Sequence, residues 1–256
     1  MKAIGIKNIQ EFVFLDKPKE ETIDRSIKIL KIYKALDLKT EELTNLGKEM
    51  AELPLDPGYS HVLLLSMEQE YECPTAILDI IAILSIENLF YFPKDLKNNL
   101  IKIITKFKVN NSDQLTKANI FHHFINAKNK SSFCKENFIN KKSIKKAMLV
   151  RDQLVDYMLQ IQRKRGKNLK KEDFESKNLQ DLPMEKIIKC LGHGYFLKTA
   201  KLSNDGSYIL TVCGKNYLFL FNICFLRKQI KMRICIQNPY AFISKINQNT
   251  SFIMKL

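Results

Sequence analysis

A strongly apolar segment, Ser60–Leu89, constrains the fold of this 256-residue chain more than any other feature. It contains two apolar runs, His61–Leu65 and Ala76–Leu84, which are separated by a Cys73-Pro74 step. A helix with apolar residues on nearly all sides needs neighbours on several sides, and a proline ends the helix before it. The segment therefore predicts two buried helices of a bundle, which form core and not a functional site.

The charge balance indicates a polyanionic partner. The chain has 42 Lys and Arg residues against 27 Asp and Glu residues, which gives a formal net charge of +15 at pH 7. Such an excess favours binding to RNA, DNA or an acidic membrane surface without selecting among them. The low numbers of Gly and Pro, 8 and 7, argue against a Gly-rich dinucleotide- or phosphate-binding enzyme and against a Pro-rich linker protein.

The six cysteines lack the spacing of a zinc site. They lie far apart and no two are spaced as C-x-x-C, so we expect small buried side chains in a reducing compartment. The N-terminus has no apolar core of a signal peptide, and the longest apolar stretch, Tyr217–Leu226, is too short to cross a bilayer. These features predict a soluble nuclear or cytosolic protein that does not contact membranes.

The N-terminal segment Pro18–Leu55 predicts a small unit of two helices. One apolar face at helical spacing marks the first helix. Thr44 is a typical N-cap residue for the second helix, which Pro54 ends. Gly47 lies inside that second helix, which indicates a close backbone approach at this point. Two short helices with a tight break predict a helix-turn-helix or winged-helix core.

The second half of the chain changes from helical to β texture. A charge run, Arg163–Lys171, is typical of a solvated loop or linker, although a dedicated RNA-binding tract is the alternative. From Tyr195 onward, short apolar runs alternate with Gly-containing turns, which predicts a meander buried in a small barrel. After Asp205 the chain has no acidic residue, and such an apolar and basic composition is typical of a tail that is weakly folded or that adheres to membranes. The further predicted helices are Gln114–Lys128, Glu136 to about Arg163, and Met184–Leu191, the last ended by Gly192.

Several motifs, in one order along the chain, resemble those of the DEAH-box RNA helicases. Leu43–Pro57 reads LTNLGKEMAELPLDP and is similar to that family's LTxLGxxMAxxPLDP signature. Lys142–Leu154 is similar to the family's RSMRRARDVRxQL, with lysines where the family has arginines. The other matches are Ala82–Ser85 with Phe90–Asp95 to AMLS and FYRPKD, Phe133–Phe138 to WCxENF, and Gly194–Ser203 to GYFxxxARLS.

The resemblance covers roughly Lys2–Phe221 and is closest to the pre-mRNA-splicing members. It implies a mainly α fold, winged helix plus helical bundle, with a small C-terminal β-barrel-like portion. The implied order is the end of a preceding RecA-like domain or linker (1–17), a winged helix (18–57) and a helical bundle or ratchet (58–165). A linker with a short helix (166–191), a partial oligonucleotide-binding-type barrel (192–222) and a divergent tail (223–256) then follow.

The motor motifs of that family do not occur in this sequence. Neither a G-x-x-x-x-G-K-[ST] loop nor an Asp-Glu-Ala-His box is present, and ATP hydrolysis requires both. We therefore expect no ATPase activity and no cofactor for this chain alone. ATP and magnesium are expected only for an intact helicase.

The candidate site residues are those expected to contact RNA, and none is expected to be catalytic or to bind metal. Like-charged pairs four apart, Lys141 with Lys145 and Lys142 with Lys146, destabilise an isolated helix and are tolerated more readily beside a phosphate backbone. Basic and hydroxyl groups beside aromatic rings suit single-stranded RNA at the first barrel strands. A solvated helix face and an ordinary β-turn are the alternatives. The predicted RNA-binding residues are Lys142, Lys145, Lys146, Arg151, Lys198, Lys201, Ser203 and Tyr208.

The histidines are not expected to do chemistry. His122 and His123 point to different sides of a helix and are interpreted as surface residues, because no carboxylate-rich partner motif surrounds them. His61 lies in an apolar helix and is interpreted as a hydrogen-bonded core residue.

The resemblance implies a nuclear accessory region of a splicing helicase that binds single-stranded RNA and couples it to a motor. The implied protein partners are a G-patch activator, docked on the Ile23–Leu53 unit, and spliceosome components. Two alternatives stay open. One is a stand-alone winged-helix RNA-binding or helicase-adaptor protein without enzyme activity. The other is a structural fragment that binds nothing specifically.

Overall fold

A computed structural model describes residues 1–6, 8–91, 103–109 and 112–195, with the backbone of segments 199–202, 208–210, 216–217 and 232–234. Helices dominate this part of the chain, and three short 3-10 helices accompany them at Lys2–Ile4, Lys171–Phe174 and Leu179–Asp181. The α-helices are α1 (Glu20–Ile32), α2 (Asn45–Glu52), α3 (Pro57–Leu65), α4 (Pro74–Leu84), α5 (Asp113–Ile125), α6 (Lys130–Glu136), α7 (Lys141–Lys164) and α8 (Met184–Gly194), and residues 103–107 are also helical.

The N-terminal unit has the predicted pair of helices, α1 and α2. The Thr44 side chain accepts a hydrogen bond from the Gly47 N–H at 2.9 Å, which confirms the predicted N-cap of α2. A Cβ atom on Gly47 would lie 2.0 Å from the Ala35 carbonyl oxygen, so the predicted close backbone approach is also confirmed. An isolated antiparallel bridge joins Leu36 to Leu43 across the break between the two helices.

The bundle core is built around α4. Every residue from Thr75 to Ile83 is buried, and α4 packs against α3, α5 and α7. The two buried helices predicted from the apolar segment are therefore confirmed as α3 and α4. Pro57 and Pro74 each occupy the first turn of a helix, where the missing N–H of proline breaks no helical hydrogen bond.

The predicted helix from Glu136 to about Arg163 is confirmed from Lys141 onward as α7, but it starts five residues later than predicted, because the chain breaks between α6 and α7. Phe138 has a φ of 49°, a left-handed conformation that a continuous helix does not contain. Asn140 then starts α7 afresh, since its side-chain oxygen accepts from the Lys142 N–H at 3.0 Å and the Ser143 N–H at 3.3 Å. Because of this break, α6 and α7 are two separate helices.

Ion pairs join the N-terminal unit to the end of α7. Arg165 forms two hydrogen bonds with the Glu49 carboxylate, at 2.5 and 2.8 Å, and a third with Glu68 at 3.2 Å. Lys164 pairs with Glu52 at 2.7 Å. The start of the basic run is therefore engaged between two parts of the fold, which differs from the solvated linker predicted for it.

Helix α8 packs on α3 and extends beyond its predicted end at Gly192. Gly194 is its last residue, and the Tyr33 hydroxyl donates to the Gly194 carbonyl at 2.7 Å. A Cβ on Gly194 would lie 1.7 Å from a methyl carbon of Val62. Only glycine allows this close approach of α8 to α3, and the helix ends at Gly194 and not at Gly192.

The predicted C-terminal β-barrel-like portion is wrong. The described segments after α8 form four strands of two to four residues, β1 (Thr199–Leu202), β2 (Tyr208–Leu210), β3 (Asn216–Tyr217) and β4 (Met232–Ile234). All pairings are antiparallel, and the order β3-β2-β1-β4 is that of an open sheet. A barrel requires the two edge strands to pair with each other, and β3 and β4 do not pair in the described segments.

Candidate nucleic-acid interface

Four lysines occupy the first two turns of α7: Lys141, Lys142, Lys145 and Lys146, hereafter the lysine surface. All four residues are exposed. At 3.6 residues per turn, Lys142, Lys145 and Lys146 lie within about a third of the helix circumference. In the part of the chain that the structure describes, no carboxylate forms a salt bridge with any of these four ammonium groups.

The lysine surface is electrostatically unfavourable for the isolated chain. Two of its like-charged pairs are four residues apart, and such pairs destabilise a helix by about 0.2–0.5 kcal/mol each. Lys141 and Lys142 also lie at the positive end of the helix dipole, and the first turn of α7 has no acidic residue. Only the Lys141 ammonium has a described side-chain partner, the Ser131 hydroxyl at 3.1 Å. An anion bound here would offset the repulsion between the lysines and their unfavourable interaction with the helix dipole.

The surroundings of the lysine surface are also basic. Residues 128–146 contain seven lysines and one acidic residue, Glu136, whose carboxylate accepts from the Ser132 hydroxyl at 2.7 Å. One turn further along α7, the apolar Leu149 side chain is 64% exposed. The surface therefore offers positive charge with an apolar group at its edge, a combination suited to a phosphate chain that also carries bases.

Arg151 does not lie with these lysines. It follows Lys142 by nine residues, which is two and a half helical turns, so it projects from the opposite side of α7. Arg151 is 9% exposed, and its guanidinium bonds to the Asp79 carboxylate at 2.5 Å and to the Phe174 carbonyl oxygen. Its charge is held inside the bundle, and it forms no part of the exposed surface.

Arg151 belongs to a buried polar cluster that joins α4, α5, α7 and the segment after α7. The Ser176 hydroxyl donates to the second Asp79 oxygen, and His122 Nδ1 lies 2.9 Å from Ser176 Oγ. Burial raises the pKa of Asp79, against the opposing effects of Arg151 and Ser176. His122 is half-buried beside Ser176, so its predicted surface position is confirmed only in part, and burial lowers its pKa.

The sequence contains a signal for this cluster. Asp79 is the single acidic residue within the apolar run Ala76–Leu84. A carboxylate inside a helix that is buried on all sides needs a cationic or hydrogen-bonding partner. The basic residue on the core side of α7, Arg151, supplies it.

The remaining predicted contacts fall in the C-terminal segment. Lys198 and Ser203 lie outside the described residues. Lys201 lies in β1, where its Cα pairs with Ile209 of β2 and Met232 of β4, and Tyr208 lies in β2 opposite Leu202. Only the backbone of these strands is described, so their predicted RNA contacts stay predictions.

His61 is buried, as predicted, but the expected hydrogen bonding is incomplete. Its Nδ1 atom has no hydrogen-bond partner among the described residues, and its ring lies 5.0 Å from the Tyr33 ring. Burial, followed by the charges of His193 and Lys34, lowers the pKa of His61 to about 4. The side chain is therefore neutral at pH 7.

Neither a metal centre nor a membrane span is found where the structure is described. No three His, Cys, Asp or Glu side chains converge there on a common point that would hold an ion. None of the helices in those ranges combines the length and the apolarity that crossing a bilayer requires.

Comparison with known proteins gives two adjoining family matches. Residues 26–55 match the family described as "Helicase associated domain (HA2), winged-helix", and residues 56–181 match "Helicase associated domain (HA2), ratchet-like". The boundary between the two matches lies between α2 and α3. The first match therefore covers the second half of α1 and all of α2, and the second runs from α3 to the last 3-10 helix.

Full-length relatives are similar over most of this chain. ATP-dependent RNA helicase DHX33 of Mus musculus is 31% identical over 215 residues, which are 82% of this chain and 28% of that protein. Probable ATP-dependent RNA helicase DHX35 of Homo sapiens is 31% identical over 208 residues, 81% of this chain and 28% of that protein. The chain thus spans a little over a quarter of the length of these relatives. It belongs to the helicase-associated HA2 family and carries the winged-helix and ratchet-like domains of the DEAH-box RNA helicases.

Proposed function

We propose that this chain is an accessory region of a DEAH-box RNA helicase and that its lysine surface binds the backbone of single-stranded RNA. The observation that carries the proposal is the set of exposed lysines at the start of α7, which lack carboxylate partners among the described residues. Folding tolerates the repulsion within this set, and a phosphate chain supplies the missing negative charge. The two named relatives are described as RNA helicases, which agrees with an RNA ligand.

The long helix α7 gives this binding a mechanical consequence. Its first turns carry the lysine surface, and the residues at its other end, Lys164 and Arg165, pair with Glu52 and Glu49 of the N-terminal unit. A 24-residue helix spans about 36 Å. Force applied to the RNA would therefore reach the winged-helix domain through one rigid element, and in an intact helicase that element would couple RNA to the motor.

On the motif resemblance alone, we also propose a role in pre-mRNA splicing, in the nucleus, with a G-patch activator and spliceosome components as partners. Co-purification of the tagged chain from nuclear extract tests this assignment. The expected result is recovery of spliceosomal small nuclear RNA, and recovery of ribosomal RNA alone would contradict it.

The RNA-binding proposal is tested by fluorescence anisotropy with a labelled single-stranded oligouridylate. The test variant is Lys142→Gln/Lys145→Gln/Lys146→Gln, since glutamine removes charge and preserves helix propensity. We expect affinity to fall on the order of tenfold or more and the slope of log K against log salt to become shallower by about 2.

The matched control removes the same number of charges from exposed lysines of the N-terminal segment, Lys17, Lys19 and Lys28. This control changes the net charge of the chain by the same amount as the test variant. A general electrostatic effect would therefore weaken RNA binding by both variants to the same extent. Equal affinities and equal salt slopes for the two triple variants would contradict the assignment of the lysine surface.

A further inference from the structure

Two neighbouring serines of α6, Ser131 and Ser132, contact groups of opposite charge. The Lys141 ammonium of the lysine surface donates a hydrogen bond to the Ser131 hydroxyl at 3.1 Å. The Ser132 hydroxyl instead donates to the Glu136 carboxylate at 2.7 Å. Both hydrogen bonds lie at the exposed surface of the protein, so an enzyme can approach either hydroxyl from solvent. A negative group on Ser131 would meet a cation, whereas the same group on Ser132 would meet an anion.

A second lysine of α7 also acts on the face of α6 that carries Ser131. Cys134 follows Ser131 by three residues, so the two side chains lie on the same face of that helix. Burial raises the pKa of the Cys134 thiol, and the charges of Lys141 and Lys145 oppose that effect. A group attached to Ser131 would therefore lie in the positive field of two ammonium groups.

The sequence before Ser131 is basic and exposed. Lys128 lies three residues before Ser131 and Lys130 one residue before it, and no acidic residue occurs from Lys128 to Lys135. Lys128 and Asn129 are exposed. Protein kinases with an acidic substrate cleft, the basophilic kinases, select serines that follow lysines or arginines, because the opposite charges attract. The Ser131 segment has the charge that such a kinase recognises.

We propose that a basophilic protein kinase phosphorylates Ser131 and that the phosphate, paired with Lys141, displaces RNA from the lysine surface. In the reaction, Ser131 Oγ attacks the γ-phosphorus of ATP, a new O–P bond forms, the bond to the β,γ-bridging oxygen breaks, and ADP and a proton leave. A phosphoserine carries a charge of about −1.5 to −2 at pH 7. It would compete with RNA phosphates for the same ammonium groups. This inference rests on the proposed function, because it adds a regulator to the same surface.

Phosphorylation of the complete 256-residue chain tests the modification itself. The chain is treated with ATP and the catalytic domain of protein kinase C, a basophilic kinase, and the phosphate is located by fragmentation of the digested peptides. We expect phosphate on Ser131 before any other serine. Ser131→Ala should abolish this uptake, and the matched control Ser132→Ala should retain it. Phosphate chiefly on Ser132 or Ser143, or on no serine, would overturn the proposal.

Phosphoserine incorporated during translation at position 131 or 132 tests the pairing without RNA. The two chains have equal net charge and differ only in the neighbour of the phosphate. Phosphorus NMR should show the second pKa of the phosphate below its usual value of about 6 at position 131, beside Lys141, and above it at position 132, beside Glu136. The midpoint of urea-induced unfolding should rise for the first chain and fall for the second. Equal pKa values and equal midpoints would contradict the pairing.

Anisotropy with labelled oligouridylate then tests the effect on RNA. Phosphoserine at position 131 should weaken binding on the order of tenfold and make the slope of log K against log salt shallower by about 1.4, as expected when two phosphate contacts are lost. The chain with phosphoserine at position 132 should lose several-fold less affinity, and equal losses would overturn the proposal. Failure of the unmodified chain to bind RNA would contradict the proposed function, whereas intact RNA binding by the chain modified at position 131 would contradict only this inference.

Discussion

Replacing Arg151 by methionine is expected to destabilise the fold by about 3–5 kcal/mol, as is typical when one partner of a buried ion pair is removed. Arg151 and Asp79 are only 9% and 1% exposed, so water cannot replace the lost partner. The substitution removes the bonds to Asp79 and to the Phe174 carbonyl, and leaves the Asp79 carboxylate with the Ser176 hydroxyl. The Asp79 charge would then be buried without a cationic partner.

The assay is urea-induced unfolding of the full chain, followed by circular dichroism. Arg163→Met is the matched control, because Arg163 is an exposed arginine of the same helix and its loss should change stability by less than about 0.5 kcal/mol. The double variant Asp79→Leu/Arg151→Met removes both charges and should recover most of the lost stability. Recovery would show that the uncompensated charge, and not lost packing, causes the defect.

The loss of stability caused by Arg151→Met should depend on pH in a definite direction. Burial already raises the pKa of Asp79, and loss of Arg151 raises it further. A carboxyl whose folded-state pKa lies above its unfolded value gives stability at low pH that is lost as pH rises through the folded pKa. The defect should therefore be smaller at pH 5 than at pH 7. A cost below about 1 kcal/mol, or a cost equal to that of Arg163→Met, would refute the reasoning.

Four further predictions concern stability, each measured by urea-induced unfolding. Glutamine at Lys142, Lys145 and Lys146 should stabilise the fold by up to about 1 kcal/mol at low salt, because it removes like-charge repulsion at a helix start; no gain would argue against that repulsion. Gly47→Ala should cost more than about 2 kcal/mol despite alanine's helix propensity, since its Cβ would meet the Ala35 carbonyl; a stable variant would contradict this contact. The pKa of His61, about 4, lies below its value in the unfolded chain, so the free energy of unfolding should fall by up to about 3 kcal/mol as the pH drops from 6.5 to 4. The His61→Gln variant should not show this decrease. Arg165→Glu should cost about 1–2 kcal/mol, which Glu49→Arg should partly restore through the reversed pair; additive losses would contradict the pairing.

Local patterns predicted the elements that depend on local physics. The apolar runs on either side of Cys73-Pro74 became α3 and α4, because nothing except burial satisfies such residues. The cap at Thr44 and the close approach at Gly47 were predictable for the same reason, since each is a property of a few neighbouring residues. The order of motifs also predicted the two helicase-associated domains.

Features that depend on distant partners were less predictable. The charge of Arg151 indicated a surface contact, but Arg151 lies on the core side of α7. Its partner there is Asp79, which is 72 residues earlier in the sequence. Glu49 and Glu68 lie far from Arg165 in sequence, so the basic run resembled a solvated linker. Turn signals after Tyr195 indicate which neighbouring strands pair, but barrel closure depends on edge strands that such signals do not specify.

The measurement that tests the central claim most directly is lysine footprinting with and without single-stranded RNA. The full chain is acetylated briefly with an N-hydroxysuccinimide ester, and the rate at each lysine is read by mass spectrometry. The account predicts that Lys142, Lys145 and Lys146 are protected together as RNA is added, while the exposed Lys17 and Lys28 react at unchanged rates. Unchanged rates at the three α7 lysines under conditions where RNA is bound would contradict the assignment of this surface.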